Sequence, residues 1–264
     1  TLNLSSPATS SGTQWTAYRR SVLITGLNIA HEDFFYMQWN SADIGGTGTR
    51  DEFAIDDIQV VFNPSSVSFD ASGDYVDVIN DGATMHVAKD ANLLTGSLTN
   101  NGVITLQSDS DEYSSLIATS VTGTVSYDRH VNTGAVNGEG GNDLIASPLA
   151  GQNFGDFAAD NGNIITDPND ATRKLFGPFD KVTGAFLIYE TDTNASTPLV
   201  SGEGYRAAST DGNGFTFTGT VNTGNVNRTI EYSGGAIPFR EWNLVGNPYP
   251  SYIKLSDFLA ANSS

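Results

Sequence analysis

The sequence contains no cysteine, and only 12 of its 264 residues are lysine or arginine. The lack of cysteine excludes disulfide bonds, thiolate metal sites and cysteine nucleophiles, although it leaves the compartment open. With 30 acidic residues, the net charge is −18. Such a chain repels nucleic acid and anionic membranes at long range, so neither is expected as a partner. The same charge attracts cations such as calcium, or serves solubility alone.

Long apolar runs and catalytic signatures are also lacking. No stretch of about 18 apolar residues is present, so no bilayer-spanning segment is expected. His31, His86 and His130 lie far apart, and no G-x-S-x-G sequence occurs, which argues against a histidine metal site and a serine triad. The chain starts at Thr1 without an initiator methionine or signal peptide, and we expect it to be part of a longer precursor. No catalytic residue is assigned.

The residues that are abundant favour an all-β fold. The 28 glycines, with many threonine, serine, asparagine and aspartate residues, indicate frequent turns. Apolar and polar residues alternate in 21–24, 34–39 and 215–218, as in half-buried strands. Only Leu255 to Ala261 predicts a helix, with Ser256 as its cap.

Residues 1–63 form the first of three predicted regions. Strands are expected at 15–27, 34–39 and 53–62. The segment 51–58 contains Ala-Ile-Asp-Asp-Ile and is similar to the final strand of MAM-like and carbohydrate-binding jelly rolls. A jelly roll needs about eight strands, so the resemblance implies an incomplete sandwich. We expect lost upstream sequence or a partner chain to complete it by strand addition.

Residues 64–130 form the second region, which is repetitive. The segment 80–87 aligns with 100–106 at an offset of 20 residues, and 121–125 follows at a similar distance. Both longer segments begin with an asparagine turn that contains glycine. This period predicts either the rungs of a short β-solenoid or stacked hairpins. One rung cannot bury its apolar face alone, so neighbouring rungs must stack.

Residues 131–264 form the third region, predicted as a β-sandwich. Its most distinctive segment is Trp-Asn-Leu-Val-Gly-Asn-Pro-Tyr-Pro at 242–250. Proline lacks a backbone donor, so Pro248 and Pro250 end any strand before them. We therefore predict a buried strand from Trp242 to Val245, followed by a rigid extended lid.

Four segments of the third region resemble, in the same order, motifs of large secreted surface proteins from the Bacteroidetes lineage that use the type-nine export pathway. They are 146–151, 202–205, 217–224 and 242–250. The resemblance implies an extracellular or cell-surface location, a β-solenoid spacer before this region and a sorting domain after it. It implies no reaction.

Four carboxylates in the first region are candidate metal ligands: Asp51, Glu52, Asp56 and Asp57. On a strand Asp56 and Asp57 point to opposite faces, so one of them faces the sandwich interior or its rim. A buried carboxylate needs a partner, and calcium prefers oxygen ligands. In jelly rolls that resemble this one, an aspartate of the last strand often holds calcium. The alternative is an aspartate pair hydrogen-bonded to backbone.

Four aromatic residues are candidates for a sugar-stacking platform: Trp39, Tyr205, Trp242 and Tyr249. The alternative is core packing, because tryptophan and tyrosine are common in β-sandwich interiors. Cleavage of a glycan requires two carboxylates across a cleft, and the sequence marks no such pair.

The predicted function is a non-catalytic structural or adhesive module of a large protein that is secreted, lies on the cell surface or forms filaments. Its expected partners are other protein chains, including copies of itself, or surface glycans, and its one expected cofactor is structural calcium. The alternative is an accessory carbohydrate-binding region of a secreted hydrolase.

Overall fold

The computed structural model describes residues 22–25, 66–69, 72–134, 141–232, 239 and 241–262. Within these ranges the chain forms 17 strands and two short helices, which confirms the prediction of an all-β fold. The strands predicted at 34–39 and 53–62 lie outside the described residues. No helix in the described ranges is long and apolar enough to cross a membrane.

Two parallel sheets form the first part of the structure. The first sheet has the order β1-β3-β5-β7. Its strands are β1 (Val22–Thr25), β3 (Gly73–Asn80), β5 (Asn92–Asn100) and β7 (Ser115–Thr122). The second sheet contains, from its edge inward, β2 (Ser66–Phe69), β4 (Thr84–Val87), β6 (Val103–Leu106) and β8 (Val125–Arg129). Successive strands of the chain alternate between the two sheets, as the rungs of a solenoid do.

The register of the first sheet explains the sequence repeat. Val78 lies opposite Leu98 and Asn80 opposite Asn100, so equivalent residues are 20 positions apart. Neighbouring strands are parallel from β1 to β7 in the first sheet and from β2 to β8 in the second, which identifies solenoid rungs rather than stacked hairpins. Side chains that alternate inward form a common core between the sheets. Its central members are Val78, Met85, Leu93, Leu98, Ile104, Leu106 and Leu116. Each such side chain stabilises the fold by about 1.5–3 kcal/mol.

An antiparallel strand from the third region continues the second sheet. β17 (Phe215–Val221) pairs with β8, and β10 (Leu149–Ala150) pairs with the end of β17. Farther along β17, side-chain amides replace a neighbouring strand. The Asn161 Oδ1 accepts the Thr216 N–H at 2.7 Å, and the Gln152 Oε1 accepts the Thr218 N–H at 3.1 Å. The predicted boundary near residue 130 therefore falls within one continuous sheet, and β1 joins a predicted jelly-roll segment to the solenoid.

Two smaller sheets complete the third region. A four-stranded sheet has the order β14-β13-β16-β9, and a three-stranded sheet has the order β11-β12-β15. The strands of the larger sheet are β9 (Asp143–Ala146), β13 (Phe176–Asp180), β14 (Ala185–Phe186) and β16 (Gly204–Ala207). Those of the smaller sheet are β11 (Thr166–Asp167), β12 (Asp170–Lys174) and β15 (Tyr189–Glu190).

A buried aromatic cluster holds these sheets against β17. Helix α1 (Phe154–Asp160) contributes Phe154 and Phe157, whose rings meet Phe176 at centroid distances of 5.7 and 4.8 Å. The Phe157 ring also stacks on Phe217 at 4.7 Å. Since rings in such contacts are attracted beyond their area of burial, the cluster fixes α1 on the sheet.

Two predictions for local structure have different outcomes, and one helix was not expected. Helix α2 (Leu255–Ala261) has the predicted bounds, but Lys254 is its N-cap and Ser256 lies inside it. Helix α1 was not predicted. The predicted buried strand at 242–245 is wrong, because 55% of Trp242 and 43% of Val245 are exposed and only one bridge, from Val245 to Glu203, forms there. Two backbone hydrogen bonds flank this bridge, from the Gly204 N–H to the Leu244 carbonyl and from the Gly246 N–H to the Gly202 carbonyl, but the pairing does not extend into a strand.

Candidate functional site

A groove of about 430 Å³ lies where the last solenoid rung meets β9 and the segment 244–253. We call it the tyrosine groove, after the rings that line it. Its side chains from the rung are Tyr113, Ser114, Tyr127 and Arg129, and those from the C-terminal segment include Tyr249 and Tyr252.

The period of strand β8 places two of these side chains together. Tyr127 and Arg129 are two positions apart, so they project from the same face of the strand. Tyr127 is buried, and its hydroxyl donates a hydrogen bond to the Ser114 carbonyl at 3.2 Å. Burial raises the pKa of Tyr127 well above that of a free tyrosine, so its hydroxyl stays protonated. The guanidinium carbon of Arg129 lies 4.5 Å from the centroid of the Tyr113 ring.

Hydrogen bonds fix the C-terminal wall of the groove to the rung. The Pro250 carbonyl accepts the Leu116 N–H at 2.7 Å, and the Tyr252 hydroxyl donates to the Tyr113 carbonyl at 3.1 Å. The Asn247 Oδ1 accepts the Tyr249 N–H at 3.0 Å, which forms an Asx turn before the second proline. The wall is therefore held at several points along its length.

The charge of the groove differs from that of the chain. Among the described residues that line it, Arg129 alone is charged. No carboxylate in the described ranges forms an ion pair with Arg129, whereas Arg173, Arg228 and Lys89 all have such partners. Ser114 also has a buried hydroxyl for which the described residues offer no hydrogen-bond partner. As far as the described residues show, the groove therefore has a cation without a carboxylate partner and a buried hydroxyl without a hydrogen bond.

The candidate metal ligands Asp51, Glu52, Asp56 and Asp57 lie outside the described residues, as does Trp39. Within the ranges that are described, no three histidine, aspartate or glutamate side chains converge as a metal site would require. The calcium site therefore stays a prediction.

The three other candidate aromatic residues occupy different places. Tyr205 is fully buried, stacked on Phe176 at 4.9 Å, so its ring packs in the core and is not available to a ligand. Trp242 is exposed and contacts Phe239 at 4.5 Å. Tyr249 lines the tyrosine groove. The structure does not bring the three rings into one platform.

Comparison with known families matches residues 47–264 to a family described as a domain of unknown function, DUF8693. The chain belongs to this family. Neither the curated proteins nor the solved structures contain a match to the chain. Since the family has no assigned activity, the function has to be argued from the site itself.

Most of the groove could not be predicted from the sequence. Tyr113, Arg129 and Tyr252 are far apart in the sequence and carry no motif, so no role was expected for them. One signal was present: Tyr127 and Arg129 alternate at the end of a predicted rung, which places them on one face. Their meeting with Tyr252 depends on a contact across more than a hundred residues, between Tyr252 and Tyr113.

Proposed function

We propose that this chain is a non-catalytic structural module of a large protein on the cell surface. The observation that carries the proposal is the continuous stacking of parallel rungs. Both sheets run from β1 and β2 to the last rung without an antiparallel break, and β17 then covers the end of the second sheet. Such rungs contact only their neighbours, and the architecture suits an elongated spacer.

The same architecture supports filament formation through further strands. β1 is the outermost strand of the first sheet in the described part of the chain. An outer strand presents backbone donors and acceptors to another chain. We propose that copies of this protein or other protein chains add strands beside β1. The resemblance to type-nine-exported proteins supports the surface location.

Force spectroscopy on single molecules tests the load-bearing role. When a rung of about 20 residues unfolds, the contour length grows by about 70 Å. We expect extension steps that are multiples of this length, because each rung is a separate stacked unit. Featureless extension at low force would count against a structural role.

Protease treatment of intact producing cells tests the location. An antibody against residues 141–232 should detect loss of the protein before lysis, while a cytoplasmic marker stays intact. Protection until lysis would contradict the surface location.

We propose that calcium is bound by Asp51, Glu52, Asp56 and Asp57. The excess of acidic residues supports this, as does the need of a buried carboxylate for a partner. Calcium should raise the thermal midpoint of the wild type, and a chelator should lower it. The variant with Asp56→Asn and Asp57→Asn should not respond. An equal response of both proteins would contradict the site.

Carbohydrate binding is the second candidate function, and the tyrosine groove is the observation that favours it. Aromatic rings beside a few polar groups are typical of small-molecule sites. This function is compatible with a structural module that also adheres to glycans.

A further inference from the structure

We propose that the tyrosine groove binds an acidic glycan, with Arg129 contacting a sugar carboxylate and Tyr252 stacking on a sugar ring. The proposal rests on the second candidate function and names its ligand class. It does not depend on the load-bearing role, which the pulling experiment tests separately.

The size and composition of the groove suit a short oligosaccharide. Its volume of about 430 Å³ falls within the range that is usual for small-molecule sites. Its walls combine tyrosine rings with polar groups of the backbone and of serine and arginine side chains. Glycan binding needs this mixture, because a sugar has both apolar C–H faces and a rim of hydroxyls.

Tyr252 is an exposed ring that is nevertheless fixed in place. It is 66% exposed, yet its hydroxyl is bonded to the Tyr113 carbonyl and its ring meets the edge of the Tyr113 ring at 6.5 Å. A ring that is already held loses little conformational freedom when a ligand stacks on it. The C–H groups of a sugar face are attracted to the negative face of such a ring.

Arg129 supplies the preference for an acid. The Tyr113 ring holds its guanidinium by a cation–π contact. The chain has 30 acidic residues, yet none of those described forms an ion pair with this arginine. A guanidinium matches a carboxylate through two parallel hydrogen bonds. A half-buried arginine to which the described residues offer no carboxylate therefore favours a ligand carboxylate over a neutral hydroxyl.

Ser114, which also lines the groove, adds an unsatisfied polar group. Its buried hydroxyl has no partner in the described part of the chain. A buried hydroxyl without a hydrogen bond costs free energy, and a polar ligand in the groove offers the missing partner.

The net charge gives the interaction a recognisable dependence on salt. The charge of −18 repels an acidic glycan at long range, whereas the contact with Arg129 acts at short range. Salt screens the long-range repulsion beyond about 10 Å at 0.1 M. We therefore expect the association rate to rise with salt at low ionic strength. Simple ion exchange on a basic surface shows the opposite trend.

Calorimetric titration with a short galacturonate oligosaccharide tests the proposal. The wild type should bind it and should bind its methyl ester, which lacks the charge, about tenfold more weakly or worse. Absence of galacturonate binding overturns the proposal, and so does equal affinity for the methyl ester.

Four variants locate the site. Arg129→Gln and Tyr252→Ala should each weaken binding about tenfold, while Tyr252→Phe should retain the stacking ring and most of the affinity. Tyr232→Ala is the matched control, because Tyr232 is 86% exposed and does not line the groove. Thermal unfolding establishes that each variant is folded, and the exposed Tyr252 tests the site even if Arg129→Gln unfolds. Unchanged binding by folded Tyr252→Ala overturns the proposal.

Discussion

The side-chain amide of Asn80 donates a hydrogen bond to the Oδ1 of Asn100, 2.8 Å away and one rung further along the solenoid. Both side chains are buried. The Asn80 Oδ1 accepts the Ala83 N–H, and the Asn100 amide donates to the Thr124 carbonyl at 2.5 Å. The two side chains therefore supply hydrogen bonds to backbone groups of neighbouring turns and link one rung to the next.

Replacement of Asn100 by alanine should destabilise the protein by about 1–3 kcal/mol, because the buried side chain loses its hydrogen bonds with the Asn80 amide, the Gly102 N–H and the Thr124 carbonyl. Urea unfolding measures the change. Asn101→Ala is the matched control, since Asn101 is the exposed neighbour in the same turn. Equal effects of the two substitutions would show that the hydrogen bonds of Asn100 make no specific contribution to the free energy of unfolding.

Glycine can be required at a turn because of a positive φ or because another backbone group lies too close for a Cβ. Three glycine-to-alanine variants test these two reasons separately. Gly123 has a φ of +93°, and an added Cβ would lie 2.1 Å from the Asn100 carbonyl oxygen. Gly82 has a φ of +98° but open space around it, and Gly162 has open space with no such φ. We expect Gly162→Ala to be neutral, Gly82→Ala to cost about 1 kcal/mol and Gly123→Ala to cost more.

The ranking should appear in thermal or urea unfolding of the three variants. If Gly123→Ala were no worse than Gly82→Ala, the close approach to Asn100 would not matter to stability.

The solenoid could be predicted from sequence because its contacts repeat. The asparagine and glycine residues of one turn recur 20 positions later, and that period is the register itself. The pairing of β17 with β8 could not be predicted. Phe217 lies opposite Tyr127, 90 positions away, and no local pattern records such a distance.

Helix α1 was missed for a different reason. It is seven residues long and contains Gly155, so intrinsic propensity alone does not predict it. Burial of Phe154 and Phe157 in the aromatic cluster stabilises it instead. Local sequence also failed to predict the burial of Trp242. Its apolar neighbours suggested a buried ring, but the residue is exposed.

Phe157→Ala should therefore cost about 3–5 kcal/mol, because the fully buried ring leaves a cavity among Phe176, Phe215 and Phe217. Phe258→Ala is the control. Phe258 also lies in a seven-residue helix, but that helix has no buried residue, so we expect a change within about 0.5 kcal/mol. Denaturant unfolding compares the two. A small effect of Phe157→Ala would mean that the cluster does not hold α1 in place.

The Asp128 carboxylate should make stability depend on pH. Burial raises the pKa of Asp128 above its usual 3.8, and this outweighs the hydrogen bond from the Thr216 hydroxyl at 2.8 Å, which lowers it. Because the folded state then holds the proton more tightly than the unfolded state, ionisation of Asp128 destabilises the fold. This cost is absent below pH 3.8 and is fully present above the raised pKa of the folded state.

Asp128→Asn should consequently stabilise the protein at pH 7, by up to about 1 kcal/mol, since the amide oxygen still accepts the Thr216 hydrogen bond and carries no charge. The gain should shrink as the pH falls toward 3.8, where the wild-type carboxyl becomes neutral. Asp192→Asn, at an exposed turn, controls for the change in net charge. Thermal unfolding of the three proteins from pH 3 to 7 measures both effects. A loss of stability in Asp128→Asn at pH 7, or a gain equal to that of Asp192→Asn, would contradict this account of the half-buried carboxylate.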